Sequence, residues 1–221
     1  MFLSSGRVLS VNIGRVREVR GGYGVWRSGI FKEPAAGPRY VALDGFEEDE
    51  QADRVNHGGA DKAVCCYCAE HYPALGERLS KEMSYGAAGE NLTIESVTEE
   101  RVGVGDVFEV GEAVLQVSQP RMPCWKLGLK HGDTELVRWV VQTGFTGFYA
   151  RVLRPGHVSA GDPFVRTDHP HPRMTVLRAH RAMTGQPPDA REIAAFAALA
   201  ELSAAWKASF HKKLQELQGR G

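Results

Sequence analysis

The chain has 221 residues, 43% hydrophobic and 24% charged, enough to bury a proper core as one large domain or one domain plus an appendage. Lys plus Arg and Asp plus Glu both number 27, which excludes the overall positive charge of a nucleic-acid or membrane-surface binder and leaves only local basic patches. No stretch is apolar for the length that a bilayer requires, and Met1 to Ser10 has neither a basic opening nor a long apolar run. Three of the four cysteines crowd into Cys65, Cys66 and Cys68, which is not the spread of a disulfide framework. The expectation is a cytoplasmic, reducing setting, with no stable nucleic-acid binding and no membrane association.

Arg7 to Ile13 alternates, with Leu9, Val11 and Ile13 on one face, which is the pattern of a half-buried strand. Arg15 to Arg20 reads as its antiparallel continuation before a turn at Gly21 and Gly22. Trp26 to Pro38 is rich in Gly and Pro and reads as an irregular loop carrying one prominent cation, Lys32. Tyr40 to Leu43 gives another strand, and the acidic run Asp44 to Asp53 reads as a solvated surface loop.

Next come His57, Gly58, Gly59, Ala60, Asp61, Lys62, Ala63 and Val64. Paired glycines allow close backbone approach, and the flanking His57, Asp61 and Lys62 suit either a ligand-facing turn or a tight turn capped by its own polar groups. A strand over Cys65 to Cys68 puts Cys66 and Cys68 on one face and Cys65 on the other. With His71 they are too few for a zinc site, which needs four converging ligands, and core packing is the expectation. Glu70 to Met83 has Leu75, Leu79 and Met83 at helical spacing after Pro73. Gly89 to Ile94 is a turn leading into a short strand, with Glu90 and Asn91 either facing a ligand or satisfying the turn backbone.

Asp106 to Val110, the turn Gly111 and Glu112, and Ala113 to Val117 form a hairpin. Its second strand feeds a loop bracketed by Pro120 and Pro123, which can be neither helix interior nor central strand. That loop presents Cys124 between Arg121 and Lys126. A positive field favours thiolate, the form that attacks electrophiles or binds a metal, although a small packing cysteine fits the same spacing. Asp133 is an N-cap for a helix over Thr134 to Gln142, and Phe148 to Leu153 and Gly161 to Val165 complete a chain of many strands and few helices. Closing such a sheet into a barrel would remove its exposed edges.

Thr167 to Pro172 reads as a linker, because its X-Pro bonds favour extended backbone. Beyond it the pattern is helical: Met174 to Met183, Asp189 to Leu199 and Ser203 to Leu217. In the last, Leu202, Trp206, Phe210, Leu214 and Leu217 form one apolar stripe opposite Lys207, Lys212 and Lys213. The expected organisation is a mainly β barrel with a few peripheral helices over residues 1–166, a linker at 167–173, and a small all-α domain of three helices over 174–221.

Together, the loops around Lys32, His57 to Lys62, Glu90 to Asn91 and Arg121 to Lys126 supply cations, glycines and one thiol. Such a set suits an anionic, phosphate-bearing cofactor beside a thiophilic metal. The blocks His57 to Val64, Gly89 to Leu92, Gly105 and Asp106, Gln119 to Leu127 and Gly147 to Val152 resemble the signature blocks of the MOSC family, domains related to the C-terminal part of molybdenum cofactor sulfurases. The helical tail is similar to the three-helix extension of the YiiM-like branch. This resemblance implies a MOSC-type β-barrel that binds a molybdenum cofactor (Mo-molybdopterin), with Cys124 as metal ligand. It further implies reduction of N-hydroxylated substrates such as 6-hydroxylaminopurine to amines, with electrons from an external flavoprotein reductase. On the same footing Cys124, His57 and Arg121 are the expected catalytic residues. Lys32, His57, Gly58, Gly59, Asp61, Lys62, Asn91, Arg121 and Lys126 are the expected cofactor-binding residues. The alternative is a carrier of sulfur or molybdenum cofactor that uses Cys124 without turnover.

Overall fold

The computed structural model describes residues 5–21, 24–53, 58–185 and 187–219. In chain order the strands are β1 (Ser5–Ile13), β2 (Arg17–Gly21), β3 (Gly24–Ser28), β4 (Glu33–Pro34), β5 (Arg39–Ala42), β6 (Gly45–Phe46) and β7 (Val64–Cys68). They continue as β8 (Leu92–Glu95), β9 (Val107–Val110), β10 (Ala113–Pro120), β11 (Phe148–Arg154), β12 (Gly156–Val158) and β13 (Pro163–Asp168). The helices are α1 (Tyr72–Leu79), α2 (Trp125–His131), α3 (Leu136–Thr143), α4 (Val176–Thr184), α5 (Ala190–Ala197) and α6 (Ala204–Gln218).

Strands β13, β9, β10, β11, β7, β8 and β1 hydrogen-bond in that order, and β13 returns to β1, so the sheet closes into a barrel without free edges. All of these pairings are antiparallel except β7 with β8. Inside lie Val8, Val11, Val64, Cys66, Leu92, Ile94, Phe108, Leu115, Val117, Phe148 and Phe164, the inward members of alternating strands. The strand β7 is buried on both faces; on its outer side Tyr67 packs against Tyr72 of α1 with Ala87 and Ala88.

Several expectations change here. The segment from Arg15 does not extend β1; β2 pairs with β3 as a separate ribbon, so the stretch expected to be irregular from Trp26 begins inside a strand. The acidic run 44–53 is not merely solvated: Gly45 and Phe46 pair with β5, and the Asp49 side chain is 4% exposed. The helix expected over Glu70 to Met83 stops at Leu79, where Ser80 adopts a left-handed conformation with φ 52°. Helix α2 was not expected at all.

Helices α4, α5 and α6 bury Ile193, Phe196, Leu202, Trp206 and Phe210 against one another, with Leu214 and Leu217 packed alongside and Val104 of the barrel joining the cluster. Their N-caps are Thr175, Asp189 and Ser203, each accepting a backbone N–H from the first turn. The connection at 167–173 is anchored rather than loose. His169 Nδ1 lies 2.6 Å from Asp106 Oδ1 and His171 Nε2 3.0 Å from Glu201 Oε2.

Candidate functional site

The register of the barrel places the site. β11 pairs Phe148 with Cys66 and Tyr149 with Cys65; the first pair faces the core, so the second faces outward. Gln119 of β10 is the next neighbour of Tyr149 in this outer row. On the other side, Asn91 accepts the Cys65 N–H through Oδ1 at 3.1 Å. Cys65, Asn91 and Tyr149 of this row line a cleft; Gln119 does not. Cys65, Asn91, Arg121, Met122, Cys124, Lys126 and Tyr149 line it, with Lys32, Asp49 and Lys62 also on its walls.

Cys124 is partly exposed, extended, and the residue from which α2 starts. β10 ends at Pro120, Pro123 precedes the first turn of α2, and Gly132 closes the helix in a left-handed conformation with φ 74°. The loop is anchored at its other end by Gly147, whose carbonyl accepts the Arg121 N–H at 3.1 Å and whose N–H donates to Glu99 Oε1 at 2.6 Å. Gly147 has φ 69°, and a Cβ there would stand 2.3 Å from the Cys66 carbonyl oxygen. Only glycine fits at that point.

Arg121 is 6% exposed. Its Nη2 donates to the Ala88 carbonyl, while Nη1 is buried without a hydrogen-bond partner. A buried unpaired donor is costly, and at a cleft wall it marks a place for an acceptor. Burial works against the guanidinium charge, but interaction with the ionised forms of Cys65, Tyr149, Cys124 and Glu90 raises its pKa above the ordinary arginine value, and Arg121 stays protonated. Burial pushes the Cys65 thiol up to about 11 despite Arg121. Burial, with Cys65 adding to it, raises the Tyr149 phenol above its usual range. Both therefore carry their protons at neutral pH.

The other expected residues divide. Asn91 lines the cleft and also donates to Asp49 Oδ2 at 3.0 Å. Lys32 lines it too, but its ammonium is engaged by Asp49 in a pair whose side chains are 7% and 4% exposed. Lys126 donates to the Arg27 carbonyl at 3.0 Å, and Lys62 stands at the wall. Gly59 has φ 90° with open space where a Cβ would go; it and Gly58 serve the turn and are not among the cleft-lining residues. His57 lies outside the described residues.

Asp61 is occupied elsewhere. Its carboxylate accepts Arg151 Nε at 3.0 Å and Nη2 at 2.7 Å, and the backbone N–H of Ala204 at 3.3 Å. Arg151 also donates to Gln116 Oε1 and to the Glu201 carbonyl, each at 2.8 Å. Ser203 N–H donates to the Ser118 carbonyl at 3.0 Å. Asp61 thus ties the turn before α6 to the barrel, immediately beside Lys62. Sequence reasoning missed Cys65 and Tyr149 as cleft residues; strand parity already put Cys65 opposite Cys66, and only the pairing register reveals what it faces.

Cys68, His71 and Glu99 form a second buried cluster, their ligand atoms all within 4.8 Å. His71 Nε2 lies 2.7 Å from Glu99 Oε2, and Cys68 Sγ is 3.2 Å from the Val97 carbonyl oxygen and 3.5 Å from Glu99 Oε2. With Gly147 on the other carboxylate oxygen, this is a closed hydrogen-bonded network.

A closed barrel with a cationic, thiol-bearing cleft on its outer face and a helical domain tied to it through Asp61, Arg151 and Ser118 defines the class. The chain belongs to the MOSC domain family, which it matches over residues 53–165, and residues 174–217 match the YiiM-like, 3-alpha helix domain. YflK, an uncharacterized protein of Bacillus subtilis (strain 168), is 46% identical over 210 residues, 95% of each chain. A protein of Gibberella moniliformis (strain M3125 / FGSC 7600) named "Reductase" is 34% identical over 182 residues, 80% of this chain but 32% of that protein. The crystal structure of YiiM from Geobacillus stearothermophilus superposes with a TM-score of 0.81 at 32% identity, covering 95% of this chain and 99% of that one. No helix among the described residues is long and apolar enough to cross a membrane.

Proposed function

We propose that this chain is a molybdenum-cofactor enzyme that reduces N-hydroxylated compounds of the 6-hydroxylaminopurine kind to amines, with Cys124 as the protein's metal ligand. The observation that carries the reading is the cleft itself. A partly exposed cysteine stands on a stiff loop beside a buried guanidinium whose Nη1 has no partner, with Lys62 and Lys126 on the same walls. The donor set fits the group, since thiolate binds thiophilic metal and Arg and Lys pair phosphate and oxo groups.

Bound there, the cofactor supplies the two-electron chemistry of N–O cleavage. The chain's residues do the rest. Cys124 offers sulfur, Lys62 and Lys126 offer charge to phosphate, and the free Nη1 of Arg121 offers a hydrogen bond to an oxygen in the cleft. Lys32 is spent on Asp49 and acts by fixing the Asn91 wall. The electron donor is a separate flavoprotein reductase.

The test is turnover. Protein purified from a cofactor-producing host, given a chemical reductant and 6-hydroxylaminopurine, releases the amine. Bound molybdenum with no amine release would instead support the cofactor carrier.

A further inference from the structure

One group lining the cleft has no role in the chemistry so far. Tyr149 lines the cleft together with Cys124 and Arg121, as the outward neighbour of Cys65 across the β7–β11 ladder. Beside it in the row, Gln119 is 3% exposed with a buried, unpartnered Oε1. Of the two orphaned polar atoms, Nη1 of Arg121 belongs to a cleft-lining residue, where an oxygen would satisfy it; Gln119 is not among the lining residues.

Reduction of an N-hydroxylated amine is R–NH–OH + 2 e⁻ + 2 H⁺ → R–NH₂ + H₂O. The N–O bond breaks, nitrogen is reduced by two electrons supplied by the flavoprotein donor, and one proton goes to nitrogen. The oxygen takes the other and leaves as water. We propose that Tyr149 is the proton donor to that departing oxygen, its phenol O–H delivering the proton while Nη1 of Arg121 holds the oxygen in place. This assignment rests on the reductase reading.

Three observations support it. Tyr149 borders the space that Cys124 and Arg121 border, and Arg121 acts on its hydroxyl by charge and by a side-chain hydrogen bond, with Cys124 adding a charge effect of opposite sign. Burial keeps the proton on the oxygen until a stronger base is generated beside it. The phenolate formed would lie beside the buried guanidinium, which stabilises it until water in the open cleft returns the proton.

The experiment replaces Tyr149→Phe in the full chain loaded with molybdenum. The expected result is wild-type molybdenum content, KM within about threefold, and kcat lowered at least about 100-fold, the usual worth of a positioned general acid. The residual rate should climb as pH falls, because hydronium then replaces the phenol. Without cofactor, wild-type protein should bind 6-hydroxylaminopurine more tightly than adenine, and Tyr149→Phe should lose that preference. Site-specific 3,5-difluorotyrosine at 149, which keeps the side-chain shape, should move the alkaline limb of the kcat profile to lower pH. A Tyr149→Phe enzyme with more than half the wild-type kcat, or an alkaline limb unmoved by fluorination, overturns the assignment and leaves the reductase reading standing. Molybdenum-loaded wild type that releases no amine overturns both.

Discussion

Replacing Asp61→Ala separates two roles that one residue type at one position could play. The carboxylate takes two hydrogen bonds from Arg151 and one from the first N–H of α6, with the Arg151 and Asp61 side chains 21% and 34% exposed. A charged hydrogen bond of this kind contributes about 1.5–3 kcal/mol when buried, and partial exposure lowers that. Losing the acceptor for the Ala204 N–H adds up to about 1 kcal/mol, with Ser203 still capping α6. Arg151 keeps Gln116 and the Glu201 carbonyl, so the net loss is about 2 kcal/mol, or a fall in Tm of about 4–8 °C for a chain of this size. Calorimetry reads the shift, and limited proteolysis across 167–173 reads whether the helical domain loosens. Molybdenum content should fall only modestly, through Lys62. A variant with unchanged Tm and complete loss of metal would refute the clamp and make Asp61 a cofactor ligand.

Gly147→Ala forces a Cβ to within 2.3 Å of the Cys66 carbonyl at φ 69°, and should cost more than about 2 kcal/mol in denaturant unfolding while lowering activity through the Arg121 loop. Asp49→Asn leaves the Lys32 ammonium buried without its countercharge, and should destabilise by about 3–5 kcal/mol; thermal unfolding checks this. His131, pushed down to about 4 chiefly by burial and also by Lys130, binds its proton less well folded than unfolded. The stability it contributes is therefore present above the ordinary histidine range of about 6.5 and is lost as pH falls from there toward 4. His131→Gln should flatten that part of the stability profile measured by urea unfolding.

The helical domain was legible because its stripe from Leu202 to Leu217 repeats at helical spacing, and all five apolar residues lie in or against one cluster. The 106–117 hairpin was legible through its turn and alternation, and its second strand runs on to Pro120, past where the pattern stops. The first strand of the β2–β3 ribbon was legible at Arg15 to Arg20 but its partner was not: β3 is five residues long with only Trp26 and Ser28 buried, too short an alternation to stand out from the Gly- and Pro-rich stretch that follows. Helix α2 was hidden by its seven-residue length, by Gly128 within it and by a cysteine where a side-chain cap would stand. Asp49 looked solvated because its partner Lys32 is 17 residues away. The same reason hid Asp61: Arg151 and Ala204 meet it only after the barrel closes and the last helix docks. Cys124, Arg121 and Lys126 could be picked out locally, since a proline-bracketed loop with flanking cations is a short-range signal.

Cys124 is the proposed molybdenum ligand of the cleft. Metal analysis of wild type and Cys124→Ser, purified side by side from a cofactor-producing host, tests this assignment most directly. The expected result is near-stoichiometric molybdenum in the wild type and loss of most of it in a Ser variant whose thermal unfolding is otherwise unchanged. A folded Cys124→Ser protein that keeps wild-type molybdenum would contradict it.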